Sequence, residues 1–166
     1  DASRREYLTF VFVGAGYAGV EGYAELQDYV KDIIDEYPRC RIAGTRWVLV
    51  EAQDRIMREI PASLADVAAR ELRRRGMEIR TGTTLERMDE RSVVLSTGER
   101  LPTRLVCWTA GVRTPGIVKE LGLPLTKGDR IETDAAMRVK GHDNVWAIGD
   151  AAAVPDPAQR RREPTP

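Results

Sequence analysis

The stretch FVFVGAGYAGVE, residues 10–21, decides the fold. An apolar run rich in Val and Phe leads into three glycines, Gly14, Gly16 and Gly19, and a helical pattern begins at Tyr17. Such a run is typical of a strand that is buried on both faces of a parallel sheet. A strand, Gly-x-Gly-x-x-Gly and a helix in this order form the dinucleotide-binding fingerprint, although the glycines alone also fit an ordinary turn.

Each glycine has a distinct role in that fingerprint. Gly14 allows the tight turn, Gly16 lets the backbone approach a pyrophosphate, and Gly19 lets the helix pack closely on the strand. The start of the helix adds unpaired N–H groups and the positive end of the helix dipole. We therefore predict that this loop, with Ala15 and Tyr17 between the glycines, binds a dinucleotide.

An acidic residue ends the second predicted strand, WVLVEA, at Glu51. A carboxylate there can accept hydrogen bonds from the ribose hydroxyls of NAD and would repel the extra phosphate of NADP. Glu51 lies 51 − 19 = 32 residues after Gly19, whereas about 20 is usual. We attribute the excess to a long helix and to a loop, EYPRCRIAGTR. Arg55 is close enough in sequence to weaken the preference for NADH.

The next segments continue an alternating pattern. PASLADVAARELRRRG predicts a helix with Ser63 as its cap, Asp66 three residues later and Gly76 at its end. MEIRTG predicts a third strand. TLERMDERSVVLSTGERLPTRLVCWTA predicts an antiparallel meander and a strand at 105–109 that returns to the main sheet. The fold is therefore predicted to be α/β, a Rossmann-like three-layer arrangement of a parallel sheet with an inserted antiparallel β-meander.

The last part of the chain holds weaker patterns. TPGIVKELGL predicts a short helix with Pro115 in its first turn, and DRIETDAAM and NVWAIGD predict two strands. We assign residues 1–153 to one NAD(H)-binding domain. The stretch 154–166, with four prolines in PDPAQRRREPTP, is predicted to be a disordered tail or linker.

Composition narrows the classes of function. The formal net charge is +0, with 26 basic and 26 acidic residues, which argues against a nucleic-acid partner. Cys40 and Cys107 form no CxxC pair, and a thiol in the apolar run LVCWTA indicates a reducing, cytoplasmic compartment. No Cys/His cluster has the spacing of a metal site, so we predict no metal.

Four stretches, in this order, resemble the two-dinucleotide-binding-domain flavoproteins of the pyridine nucleotide-disulfide oxidoreductase superfamily: VFVGAGYAGVEGYAEL, RWVLVEAQDRIM, CWTAGVRT and VWAIGDAA. Within this group the chain looks like the type II NADH dehydrogenases, the non-proton-pumping NADH:quinone oxidoreductases. The resemblance implies an NADH domain inserted into a separate FAD domain. The chain would deliver hydride from NADH to FAD held mainly by a missing domain, with a quinone as acceptor. The intact protein would be peripheral on the membrane.

The resemblance also implies roles for individual residues. The three glycines would bind the pyrophosphate and Glu51 the adenosine ribose. Ala110 and Gly111 of WTAGV would lie along the nicotinamide, and Glu21 would approach its carboxamide. From the residues alone, Glu21 is equally an acid that suits a helix start.

Gly149 and Asp150 of AIGD correspond to the position where the family supplies an aspartate to the flavin. With much of the flavin site missing from this chain, Asp150 is alternatively an acid at a strand end with no ligand.

Two other functions stay open. The chain could be the NAD-binding domain of a ferredoxin or disulfide reductase, or a stand-alone NAD-binding and sensing module. We expect no catalytic acid, base or nucleophile, because the cofactors carry the chemistry. The isolated chain should then bind NADH and catalyse nothing. Apolar surface at the TAGV and AIGD strand ends predicts a weak homodimer.

Overall fold

The computed structural model describes residues 2–111 and 113–155. Residues up to Gly111 form one compact unit and the described residues beyond it form a second, so the single domain 1–153 stays a prediction. Most of the predicted tail, 156–166, lies outside the described residues. No helix in the described ranges is both long and apolar enough to cross a bilayer.

The first unit combines four helices with seven strands. Its helices are α1 (Ala2–Tyr7), α2 (Tyr17–Ile33), α3 (Pro38–Ala43) and α4 (Ala62–Arg74), and a short 3₁₀ turn covers Ile34–Glu36. Its strands are β1 (Thr9–Val13), β2 (Arg46–Val50), β3 (Glu78–Arg80), β4 (Leu85–Met88), β5 (Ser92–Leu95), β6 (Arg100–Pro102) and β7 (Leu105–Trp108).

A parallel sheet in the order β3-β2-β1-β7 forms the middle layer. Successive side chains of a strand point to opposite faces, so β1 serves two cores. Phe12 packs with Leu49 and the helices on one face, while Val11 and Val48 pack on the other face with Val93 of the antiparallel sheet β4-β5-β6. The predicted three-layer α/β fold with an inserted meander is confirmed.

Tyr23 anchors α2 on the sheet. Its ring is fully buried and lies 5.2 Å from the ring centroid of Phe12 and 6.1 Å from that of Trp47. Its hydroxyl donates to the carbonyl of Glu78 at 3.0 Å. Burial raises the pKa of Tyr23 well above its ordinary value, because a buried phenolate would lack solvation.

Two local predictions were wrong. The segment EYPRCRIAGTR was interpreted as a loop, but it contains α3. This helix starts at Pro38, because proline is tolerated at the first helical position. Ser63 does not cap α4: the helix begins at Ala62, and the preceding Pro61 offers no side-chain hydrogen bond. The predicted stop at Gly76 agrees with its left-handed φ of 78°.

A buried carboxylate joins α1 to the meander. Glu6 is 5% exposed and accepts two hydrogen bonds from Arg91, at 2.8 and 3.0 Å, and one from Arg104 at 3.1 Å. The hydrogen bonds from Arg91 are the main cause that lowers the pKa of Glu6, and Arg104 adds to it. The ionised form is therefore favoured in the folded state.

This ion pair predicts a pH-dependent stability. Because the pKa of Glu6 is lower in the folded than in the unfolded chain (about 4.3 when unfolded), its stabilisation is complete above that value. The contribution disappears as the pH falls through the lower, folded value. In denaturant titrations, Glu6→Gln should cost stability at neutral pH and little in acid, whereas the exposed Glu86→Gln should cost little throughout. An equal cost of Glu6→Gln at both pH values would contradict this account.

The second unit has few regular elements. They are α5 (Ile117–Glu120), β8 (Ile131–Glu132), β9 (Ala152–Ala153) and a 3₁₀ turn over Gly149–Ala151. Its buried apolar residues are Val118, Ile131, Val139, Ala147 and Ala152. Pro115 precedes α5 rather than lying in its first turn, since the helix begins at Ile117 and Gly116 is its N-cap residue.

NVWAIGD is not a strand, contrary to the sequence prediction. Trp146 forms only an isolated bridge with Arg138, and the 3₁₀ turn begins at Gly149, whose φ is 68°. Trp146 and Ile148 are 56% and 69% exposed, so the apolar residues of this stretch do not belong to a buried strand.

Candidate functional site

The glycine loop follows β1 at the carboxyl edge of the parallel sheet. Gly14 has a φ of 100°, and a Cβ atom there would lie 2.7 Å from the Cα atom of Ala110. Ala110 is this close because it lies two residues after β7, which pairs with β1. Only glycine satisfies both the dihedral angle and the space, so the predicted tight turn is present.

Gly19 brings α2 against the turn. A Cβ atom at Gly19 would lie 1.9 Å from the carbonyl oxygen of Gly14 and 2.7 Å from Oγ1 of Thr109. The Thr109 hydroxyl lies 2.9 Å from that same carbonyl oxygen, to which it donates. Sequence reasoning missed Thr109, although a hydroxyl residue directly after a strand of the sheet could have indicated it.

The start of α2 offers free donors. Gly16 precedes the helix and no side chain caps it. Within the described ranges, the N–H groups of Tyr17, Ala18 and Gly19 have no hydrogen-bond acceptor. A Cβ atom at Gly16 would meet only Oε1 of Glu59, at 3.6 Å, so the protein itself leaves room there. This arrangement can bind an anionic group such as a diphosphate.

Glu51 reaches the glycine loop. It follows β2, and its Oε2 accepts a hydrogen bond from the N–H of Ala15 at 2.7 Å. Its Oε1 accepts one from the N–H of Gln53 at 2.8 Å. Each carboxylate oxygen has a further lone pair, so the group can still accept hydrogen bonds from ligand hydroxyls.

Arg55 has a different role from the one suggested by its place in the sequence. Its guanidinium donates to the carbonyls of Met57, Arg58 and Ile60 at 3.0, 3.1 and 3.2 Å, so it holds its own loop. Met57 has a φ of 47°, and its N–H donates to the carbonyl of Ala15 at 2.7 Å. Arg55 thereby stabilises the segment that supports the glycine loop.

Replacing Arg55 should weaken that support. We expect Arg55→Gln to lower the free energy of unfolding by about 1–3 kcal/mol, because several carbonyls lose a charged donor. Affinity for a dinucleotide should fall with it. Arg70→Gln is the matched control, since Arg70 is exposed. Equal denaturation midpoints and affinities for the two variants would contradict the assigned role.

Arg58 is a cation that the sequence prediction did not consider. Its guanidinium donates to the side-chain oxygen of Gln53, and the N–H of Gln53 donates to Glu51. The basic group associated with the acidic strand end is therefore Arg58 rather than Arg55.

The other predicted site residues fall into two groups. Glu21 is exposed on α2, and Gly111 follows Ala110 with a φ of 79°. Gly149 and Asp150 belong to the second unit, where they lie exposed in the 3₁₀ turn. Asp150 is thus not at the end of a strand, because NVWAIGD forms none.

An exposed aromatic ring lies at the end of β7. Trp108 is 61% exposed, and its indole N–H donates to the carbonyl of Ala110 at 2.8 Å. Apolar surface is therefore present at the TAGV end, where the sequence analysis expects it.

Comparisons with known proteins show which family this chain belongs to. An external alternative NAD(P)H-ubiquinone oxidoreductase, B2, of Arabidopsis thaliana mitochondria is 32% identical over 161 residues, which cover 93% of this chain and 28% of that protein. A probable NADH dehydrogenase of Dictyostelium discoideum is 31% identical over 152 residues, 91% of this chain and 34% of that protein. The chain thus spans about a third or less of these relatives' length.

A solved structure and a family model complete the comparison. NDH2 of Plasmodium falciparum, solved in complex with NADH, superimposes with a TM-score of 0.79 and 17% identity over 93% of this chain and 34% of that one. At this identity the match shows the fold. The family model described as pyridine nucleotide-disulphide oxidoreductase matches residues 2–164. The chain therefore belongs to the pyridine nucleotide-disulphide oxidoreductase family.

Proposed function

We propose that this chain is the NADH-binding part of a flavin-dependent NADH:quinone oxidoreductase. One observation carries the proposal: the uncapped start of α2 and the carboxylate of Glu51 meet at the glycine loop, where Glu51 accepts the N–H of Ala15 at 2.7 Å. The named activities of the Arabidopsis and Dictyostelium relatives support it.

The residues of the loop fit NADH by charge and shape. The N–H groups of Tyr17, Ala18 and Gly19 would donate to the pyrophosphate, and the room at Gly16 would let it approach. Glu51 would accept hydrogen bonds from the adenosine ribose, because each of its oxygens keeps an unused lone pair.

The remaining proposed contacts are with the nicotinamide end of NADH and with the flavin. Ala110 and Gly111, which lack bulky side chains, would lie along the nicotinamide, and Glu21 would approach its carboxamide. Gly149 and Asp150 would contact the flavin of the intact protein.

NADH bound here would supply a hydride, and in the intact protein FAD would serve as its acceptor and a quinone as the final electron acceptor. The side chains of this chain bind and orient; none is required as acid, base or nucleophile. The exposed Trp108 would be covered by the FAD domain, or by a second copy when that domain is absent.

Calorimetric titration with NADH, NADPH and FAD tests this function, together with an assay of NADH consumption. We expect NADH to bind most tightly, NADPH less tightly and FAD poorly. With a soluble quinone but no flavin, the purified chain should consume no NADH. The proposal would be refuted if the chain bound FAD but not NADH, or if it consumed NADH without flavin.

A further inference from the structure

A cavity of about 710 Å³ opens at the edge of the parallel sheet opposite to the glycine loop. Thr9 and Arg46, the first residues of β1 and β2, line it, whereas Gly14 and Glu51 follow the last residues of these strands. A five-residue strand spans about 16 Å, so the two sites lie at separate edges. Small-molecule sites commonly have volumes of about 300–1,000 Å³.

The lining of this cavity is strongly cationic. Among the described residues no aspartate or glutamate lines it, and five arginines do: Arg4, Arg5, Arg39, Arg46 and Arg100. The whole chain has equal numbers of basic and acidic residues, so this local excess does not reflect a basic composition. The cavity should therefore have a positive potential that attracts anions.

Three of these arginines have no carboxylate partner among the residues that the structure describes. Arg46 is paired with Glu78 and Glu99, and Arg100 with Asp89. Arg4 and Arg5 of α1 and Arg39 of α3 are exposed and form no ion pair within residues 2–111 and 113–155.

Their convergence from two helices places three positive charges at one cavity, with no ion-pair partner in the described part of the chain. A guanidinium group presents its donors in a planar fork that matches a phosphate.

We propose that this cavity binds a phosphate-bearing anion. Its volume exceeds that of a single phosphate group, so the ligand has a body as well as a charge. Ile42, which lines the cavity and is 84% exposed, offers that body an apolar contact. The same chemistry is found in a free di- or polyphosphate compound and in an anionic lipid headgroup.

The first experiment titrates pyrophosphate into the chain by calorimetry, with NADH present so that the glycine loop is occupied. The cavity variant replaces Arg4, Arg5 and Arg39 with Gln, and it should still fold because the three side chains are exposed and unpaired. The control variant replaces three cations that do not line the cavity: Arg70, Arg87 and Lys127. The comparison depends on the difference between variants, so it remains valid even if NADH does not bind.

We expect the cavity variant to bind pyrophosphate at least about tenfold more weakly, since charge-assisted hydrogen bonds to phosphate are lost. The control should bind like the wild type, and NADH affinity should be equal in all three proteins. The proposal would be overturned if the wild type bound neither pyrophosphate nor the anionic vesicles described below. An equal loss in both variants would also overturn it.

A second experiment identifies the source of the phosphate. Sedimentation with phosphatidylglycerol-containing vesicles is compared with vesicles of phosphatidylcholine alone. Vesicle binding that is lost in the cavity variant and displaced by pyrophosphate would identify a lipid headgroup. Pyrophosphate binding without vesicle binding would identify a free phosphate compound.

Discussion

Gly19→Ala should remove NADH binding while leaving a folded chain. The added Cβ atom would lie 1.9 Å from the carbonyl oxygen of Gly14, which is backbone and cannot swing aside. The start of α2 must move away from the turn, so its N–H groups lose their common direction. We expect affinity for NADH to fall at least about 100-fold and the free energy of unfolding to fall by about 1–3 kcal/mol.

Gly22→Ala is the matched control on the same helix. A Cβ atom at Gly22 would meet only a ring carbon of Phe12, at 3.6 Å, which is ordinary contact. This variant should bind NADH like the wild type and gain up to about 1 kcal/mol in stability, because alanine favours a helix over glycine. Calorimetry and thermal melting distinguish the two variants. Wild-type NADH affinity in Gly19→Ala would contradict the structure of the loop.

Glu51→Gln should weaken NADH binding about tenfold to 100-fold. It should also reduce the difference in affinity between NADH and NADPH. The carboxylate accepts hydrogen bonds from Ala15 and Gln53 at the same time, whereas an amide has one acceptor oxygen. Hydrogen bonds to charged groups are worth about 1.5–3 kcal/mol, which sets the expected range. Loss of the negative charge also removes repulsion of the extra phosphate of NADPH.

Glu59→Gln removes the same charge beside the same loop. Oε1 of Glu59 would be 3.6 Å from a Cβ atom at Gly16, and Glu59 has no proposed contact with the ribose. NADH affinity should stay constant or rise slightly, since a charge that repels the pyrophosphate is lost. Titrations of both variants with NADH and NADPH check this contrast. Equal losses in the two variants would mean that Glu51 acts only through general electrostatics.

The sequence was sufficient for the parallel sheet and for the loop that follows β1. Short apolar runs, glycines at fixed spacing and an acid at a strand end are local patterns, and each reflects a direct steric or electrostatic requirement. The antiparallel meander could also be predicted from the sequence, because charged turns separate its short runs of alternating polar and apolar residues.

Other features depend on tertiary context and could not be read locally. Arg55 donates to its own loop because the backbone there turns through a left-handed residue, Met57. NVWAIGD has the apolar sequence pattern of a strand, but Trp146 and Ile148 are exposed and the segment forms no strand. The cationic cavity gathers arginines from α1, α3 and β6, which are distant in the sequence.

The central claim is that the N–H groups at the start of α2 bind the diphosphate of NADH. Nuclear magnetic resonance of nitrogen-labelled chain tests it directly, because each backbone N–H gives its own resonance. On titration with NADH, the resonances of Tyr17, Ala18 and Gly19 should shift and saturate together, and adenosine without phosphates should leave them nearly unchanged. Saturable NADH binding with these three resonances unmoved would contradict the claim.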